Sequence, residues 1–444
     1  MSATILSEVL ALDARHVWHP YTQHHGAPLP VEIVAARGAW LHAADGRRIL
    51  DAISSWWVTL HGHAEPAIAA AIGEQARTLE QVIFAGFTHA PAARLCAALA
   101  EVLPPGLERV FLTDNGSTAV EAGIKIALQW WHNRGTPRRL VAALDGAYHG
   151  DTFGAMSVGA RGVFSAPFDG HLFEVARLPA PDVDDGAATL AALDALLAAR
   201  GGELAALVVE PLCLGAGGMR TWSEATLRAL AARCRAHDVV LVADEVMTGF
   251  GRTGALFACE RAGVAPDVIC LSKGITGGFL PLGATAVTER LFDGFLSDDR
   301  RRTLFHGHSY TANPLACAAA LASLAILRTP ESAAARARLE AAHRRHLAAL
   351  ATHPGVRAPR VLGTIAAFDL VDDGRAGYLA PVGRELAAYA LAEGVLLRPL
   401  GDACYLLPPY CTTDEELALA YGVVERFLDG ARAPVSAGGV VDEA

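Results

Sequence analysis

Lysine is nearly absent from this chain. Of 37 basic residues only two are lysine, Lys125 and Lys273; all the others are arginine. Arginine stays protonated, whereas lysine can release its proton and become a nucleophilic amine. A chain that uses arginine wherever charge suffices therefore draws attention to its two lysines. Cys-x-x-Cys is also missing. The eight cysteines are scattered, several within apolar runs, the pattern of free thiols in a reducing compartment rather than of a disulfide framework. No G-x-x-x-x-G-K-[ST] loop occurs, which removes the nucleotide-hydrolase reading of the chain's acidic strand ends. The longest apolar run, "PLACAAALASLAIL" (314–327), falls short of the roughly 20 residues that span a bilayer. The start has no basic stretch and carries Glu8 and Asp13, so no signal peptide is expected. A soluble cytoplasmic protein follows as the expectation. The net charge of −10 argues against a broad nucleic-acid or anionic-membrane partner.

What is present is an alternating α/β pattern. The chain has 444 residues, 52% of them hydrophobic, enough for a large core. "LERVFLT", "RRLVAAL", "LAALVVE", "VVLVADE", "DVICLS" and "LGATAVT" read as buried strands. Helical stretches lie between several of them, such as "STAVEAGIKIALQWW" and "SEATLRALAARCRAH", the latter with Ser223 as its N-cap. Near-continuous apolar strands alternating with helices predict a mostly parallel sheet covered on both faces. Residues 1–60 and 329–444 carry short strands and helices and are expected to join into a smaller α+β domain beside a large domain at 61–328. The end, "APVSAGGVVDEA", reads as frayed.

In such sheets ligands gather at the carboxyl ends of the strands. Those ends here are Asp114 to Ser117, Tyr148 and His149, Glu210, Asp244 and Glu245, and Ser272 and Lys273. Lys273 in "CLSKGITGG" is either a solvated loop lysine or an amine that forms a Schiff base with an aldehyde cofactor. Asp244 ends what reads as a buried strand. An ionised carboxylate there needs a cationic partner: a helix cap or ion pair in one reading, the protonated pyridine nitrogen of pyridoxal phosphate in the other. "TDNGSTAVE" offers a helix start at Gly116 with the hydroxyls of Ser117 and Thr118, suited to a phosphate and also to a plain cap. Tyr148 is a core tyrosine or a ring that stacks on a flat cofactor. The histidines at 61, 63, 149, 306 and 308 lack cysteine or carboxylate partners at ligand spacing, so no metal site is expected.

Together these residues resemble the class III (omega) aminotransferases of pyridoxal-phosphate fold type I. The resemblance rests on "NGSTAVEAGIKIA", "YHGDT", "VVEPLCLGAGGM", "ADEVMTGFGRTG", "DVICLSKGITGGFLPLGA" and "HGHSYTANPLACAAA". It implies a transaminase that binds pyridoxal 5′-phosphate. Lys273 would be the catalytic amine, Asp244 the partner of the pyridine nitrogen, Gly116 and Ser117 the phosphate site, and Tyr148 the ring's stacking partner. Ser309, where the family usually has threonine, would reach the phosphate of a neighbouring subunit, and Tyr148 and Gly307 would also bind substrate. An obligate homodimer follows from that. "HVWHPYTQ", "DAISSWWVTLHGHAEP" and "LRPLGDACYLLPPY" resemble the members acting in biotin synthesis. They point to Tyr21, Trp56, Trp57 and Arg398 as binders of a long keto acid, the arginine holding its carboxylate. Arg398 in an internal salt bridge is the competing reading of the residue alone. Arg252 is expected near the site. Gly215-Ala216 stands where glutamate-using relatives carry Gly-Glu, which argues against a glutamate-type donor and leaves S-adenosylmethionine and lysine. Other activities of the family, such as amine–pyruvate transamination, and a cofactor-binding regulator are the rivals; the chain shows no basic DNA-binding helix pair for the latter.

Overall fold

The computed structural model describes residues 7–371 and 377–430; the tail read as frayed lies outside them. A seven-stranded sheet forms the centre. Its spatial order is 107–113, 283–288, 268–271, 240–244, 204–209, 140–144 and 175–178. Strand 283–288 runs antiparallel to both of its neighbours, and the remaining pairings in the sheet are parallel. Every residue of strands 140–144, 204–209, 240–244 and 268–271 is buried. This is why these strands read as unbroken apolar runs: helices cover both faces and leave no solvent side to alternate toward.

Helix Gly116–Asn133 lies against the sheet and packs with strands 283–288 and 268–271. Asn115 caps it by accepting from the Thr118 amide, while the Thr118 hydroxyl accepts from the Asn115 amide, a reciprocal box that fixes the helix start. Gly123 lets this helix come close; a Cβ there would lie 3.0 Å from Cys270 Sγ and 3.3 Å from Val268 Cγ1. Ser223 caps helix Glu224–Ala236 as its sequence implies. The run at 314–327 forms a helix of 14 residues. No helix among the described residues is long and apolar enough to cross a membrane.

Segments from the first and last parts of the described residues meet. Strands 33–37, 40–43 and 48–51 form an antiparallel meander, and strand 395–396 joins it in parallel with 48–51. A second small sheet contains 356–362, 365–370 and 403–406. Segment 52–60 is bound to segment 407–410: Leu407 N–H donates to the Ala52 carbonyl at 2.8 Å, Tyr410 N–H to the Leu60 carbonyl at 2.7 Å, and the Ser54 hydroxyl to the Leu407 carbonyl at 2.7 Å. Arg252 is 1% exposed and reaches the same place, donating to the carbonyls of Pro408 at 3.0 Å, Thr59 at 3.4 Å and Trp57 at 3.5 Å. It braces the segment that carries Trp57 rather than facing a ligand. All eight cysteines are free; Cys411 is exposed, Cys96 partly so, and the others are buried.

Candidate active site

The carboxyl ends of the central strands surround a cavity of about 690 Å³. Neighbouring strands deliver its two main groups. Strand 240–244 ends on Asp244 and pairs in parallel with 268–271, Asp244 opposite Cys270; two residues past the end of the latter stands Lys273. Both side chains line the cavity. Lys273 has φ +45°, a backbone region unfavourable for a residue with a side chain and one that persists where surrounding structure enforces it. The residue is partly exposed and lines the cavity. Burial lowers its pKa, while Asp244 and Glu210 pull the other way. The amine sits 5.0 Å from the centroid of Trp57.

The adjacent acids Asp244 and Glu245 do different work. Asp244, 4% exposed, takes His149 Nδ1 at 2.7 Å on one oxygen and the Val246 N–H at 3.0 Å on the other. The opposite ring atom, His149 Nε2, is buried and has no hydrogen-bond partner among the described residues. Glu245 points away, accepting the amides of Ala258 and Cys259, each at 2.7 Å, and the Thr248 hydroxyl at 3.2 Å. It seals the start of helix Ala258–Ala262, and burial raises its pKa to about 7. Glu210, likewise raised to about 7 by burial, accepts from Tyr148 N–H at 2.9 Å and Gly215 N–H at 3.0 Å. It joins two loops at the mouth of the cavity.

Opposite Lys273 the cavity meets the start of helix Gly116–Asn133. The first N–H groups of a helix lack intrahelical partners and carry its positive end. Gly116 is needed here: an added Cβ would fall 2.6 Å from Val246 Cγ1. The Ser117 hydroxyl is already engaged. Thr152 gives its only hydroxyl proton to Glu121 at 2.6 Å, so in the 2.8 Å contact between Ser117 and Thr152 the serine is the donor.

Toward the rim the aromatic residues converge. Tyr21 bonds Asp151 through its hydroxyl and lies 3.3 Å from the Tyr148 hydroxyl. Burial, followed by the bond to Asp151, lifts the Tyr21 pKa to about 12. The Arg398 guanidinium stacks 3.9 Å over Trp56 and 5.9 Å from Tyr21, and it pairs with no carboxylate among the described residues. The two tryptophans part: Trp56 is 38% exposed and joins Tyr21 and Arg398, while Trp57 is buried and donates to Tyr405 at 2.9 Å. Gly307 and Ser309 lie on an exposed loop away from this cavity; the Ser309 carbonyl takes Gln81 Nε2 at 2.9 Å. Sequence reasoning missed His149 as the partner of Asp244, and missed Asp151. Both sit in "YHGDT" directly after Tyr148, and their place in one strand-end loop was the available signal. Among the described residues no group of three or more His, Cys, Asp or Glu is placed to hold a metal.

Residues 21–428 match the Aminotransferase class-III family. The chain is a class III aminotransferase. Its curated relatives include the adenosylmethionine-8-amino-7-oxononanoate aminotransferase of Synechococcus elongatus, 55% identical, covering 93% of this chain and 98% of the relative. The Geobacter sulfurreducens enzyme of the same name is 40% identical over 94% and 96%. Among solved structures, the enzyme of that name from Methanocaldococcus jannaschii superposes with a TM-score of 0.89 at 31% identity, covering 94% of this chain and 98% of that one. A pyridoxal-phosphate-bound amine transaminase from an uncultivated Pseudomonas species gives 0.86 at 32%, covering 92% and 97%. The fold is thus that of the fold type I transaminases, and the class III aminotransferase depends on pyridoxal phosphate. The residues present suit that group: an enclosed amine of lowered basicity, an acid on the adjacent strand and a free helix start face one cavity.

Proposed function

We propose that this class III aminotransferase moves an amino group from S-adenosylmethionine to 8-amino-7-oxononanoate, giving the 7,8-diamino acid of biotin synthesis. The names of the most similar relatives support this reading. The observation that carries it is Arg398, a half-buried cation stacked on Trp56 with no counter-ion among the described residues. A carboxylate at the end of an apolar chain supplies that counter-ion, and the aromatic faces of Tyr21 and Trp56 suit the chain itself.

Pyridoxal phosphate, when bound, supplies the electron sink that makes an amine's α-proton removable. Lys273 would hold the cofactor and carry that proton on its Nζ; burial favours the neutral, proton-accepting form of the amine. Asp244 would face the ring nitrogen, with His149 fixing the orientation of its carboxylate. The amides of Gly116 and Ser117 would hold the phosphate, since the Ser117 hydroxyl is committed to Thr152. Tyr148 would cover the ring. Ser309 and Gly307, exposed on their loop, would complete the site of a second copy, which makes the working unit a homodimer.

The test is spectroscopic. The holoenzyme is mixed with S-adenosylmethionine or lysine and the visible absorbance of the bound cofactor is followed; the keto acid is then added and the diamine measured by mass spectrometry. Bleaching by S-adenosylmethionine and recovery with the keto acid are expected. Bleaching by lysine alone overturns the donor, and no recovery overturns the acceptor.

A further inference from the structure

Lys273 is one of the two lysines. The other, Lys125, lies on helix Gly116–Asn133, whose start faces the main cavity. Residues 121, 125, 129 and 133 are four apart and so share one face of that helix. Each of them reaches out to another segment. Glu121 accepts from the Thr152 hydroxyl at 2.6 Å and the Gly154 N–H at 2.7 Å. Gln129 donates to the carbonyls of Thr303 at 2.9 Å and Arg302 at 3.3 Å, and Asn133 to that of Arg302 at 3.1 Å. Lys125 Nζ lies 3.1 Å from His306 Nδ1. An ammonium only donates, so Nδ1 accepts and the imidazole carries its proton on Nε2. Burial lowers the His306 pKa, with Lys125 and His308 acting in the same sense and Glu121 against them. The ring is thereby kept in the neutral form that accepts.

The loop of Gly307 and Ser309 starts where this row of side chains ends. On its far side the His308 N–H donates to Thr311 Oγ1 at 3.0 Å, and the Ser309 carbonyl takes the Gln81 amide. The loop is thus held at both ends, and the Lys125 bond is the fastening next to Gly307. Gly307 and Ser309 are exposed, and Phe305 and Tyr310 beside them are 72% and 67% exposed, a surface suited to contact with another protein molecule. Resting on the homodimer proposed above, we infer that Lys125 is a positioning residue for the neighbouring copy: through His306 it sets the loop that delivers Gly307 and Ser309 to that copy's cofactor site. Lys125 lines no part of the main cavity of its own chain. The choice of lysine fits this task. An ammonium is a compact donor for a single ring nitrogen, whereas a guanidinium is a planar fork made for two acceptors. One helix then serves two sites, its start for its own copy and its flank for the neighbour.

Such an effect acts in trans, and hybrid dimers read it. One chain carries Lys273→Ala and one purification tag; the other keeps Lys273 and carries a second tag. Only one site per dimer then holds pyridoxal phosphate covalently, and its visible absorbance against free pyridoxal phosphate gives the affinity of that site. Lys125→Met keeps the apolar stem and removes the donors. Placed on the Lys273→Ala chain, whose loop faces the site being read, it should weaken cofactor binding about tenfold. Placed on the chain that keeps Lys273, it should change binding by less than about twofold. His306→Phe retains a ring beside Phe111 and should reproduce both results. The double variant should lose no more than either single one, and Lys125→Arg should recover part of the affinity. Thermal melting identifies any variant that fails to fold, and the other variant then decides. A loss when the change sits on the chain that keeps Lys273, no loss when it sits on the other, or losses that add in the double variant overturn the assignment. Chains that sediment as monomers and yield no doubly tagged dimer refute the homodimer reading, and the assignment falls with it, a pattern distinct from the others.

Discussion

Arg398→Ala tests the carboxylate site most directly. The guanidinium stacks on Trp56 at 3.9 Å and bonds no acid among the described residues. Its removal therefore breaks no internal ion pair, and what folding loses is an exposed cation–aromatic contact of about 0.5–1 kcal/mol. Binding loses more. A charge-assisted hydrogen bond contributes about 1.5–3 kcal/mol, and water at this half-exposed site offsets part of a bidentate pair. We take about 2–3 kcal/mol for the acceptor, or about 30- to 150-fold in kcat/KM for the keto-acid half-reaction. The donor half-reaction, whose substrate has no long apolar chain ending in a carboxylate, should lose far less. Arg398→Lys keeps the charge but loses the flat face and the fork, and should recover only part of the deficit. Single-turnover absorbance separates the halves, and thermal melting checks the fold. Equal losses in both halves, or a melting point lowered by many degrees, would mean that Arg398 serves the architecture and not the substrate.

Lys273→Ala should abolish the visible absorbance of covalently held cofactor and transamination together; a variant keeping both would remove Lys273 from its role. Gly116→Ala should weaken pyridoxal phosphate binding by about tenfold, because its Cβ would stand 2.6 Å from Val246 Cγ1 and either the valine beside the cavity or the helix start must shift; equilibrium dialysis of the apoenzyme measures this, and unchanged affinity would contradict it. Glu245 carries a pKa raised from 4.5 to about 7. A carboxyl raised on folding favours the native state fully below its unfolded pKa, and that contribution disappears as pH climbs through the folded one. Denaturant unfolding should therefore show stability falling between about pH 4.5 and 7, with Glu210 contributing in the same direction. Glu245→Gln should flatten the slope while lowering stability at acid pH, where one buried amide loses its acceptor; an unchanged slope would refute the assignment.

The strand ends were legible because burial on both faces makes a parallel strand uniformly apolar, so Asp244 and Lys273 stood out as polar interruptions at one edge of the sheet. The order of the strands was not, since adjacency in a crossover sheet depends on packing between segments far apart in sequence. Nor could spacing tell Asp244 from Glu245: one faces the cavity and the other caps a helix 13 residues onward, a difference set by the direction of each side chain at the strand's end. His149 belonged to a scatter of histidines read against metal binding, and its bond to Asp244 links residues 95 apart. Trp56 and Trp57 read as one pair. The positive φ angles at Ser54, Ser55 and Trp57 turn the chain between them and send the rings to different neighbours.

The binding of segment 52–60 to segment 407–410 sets an order on the protein's birth. The ribosome releases Trp57 about 350 residues before Pro408. Until the later segment emerges, Arg252 lacks its closest carbonyl and Ser54 its acceptor. The lysine pocket therefore gains its Trp57 wall only once segment 407–410 is made, and a chain truncated ahead of Leu407 should carry the reactive amine without the enclosure that tunes it.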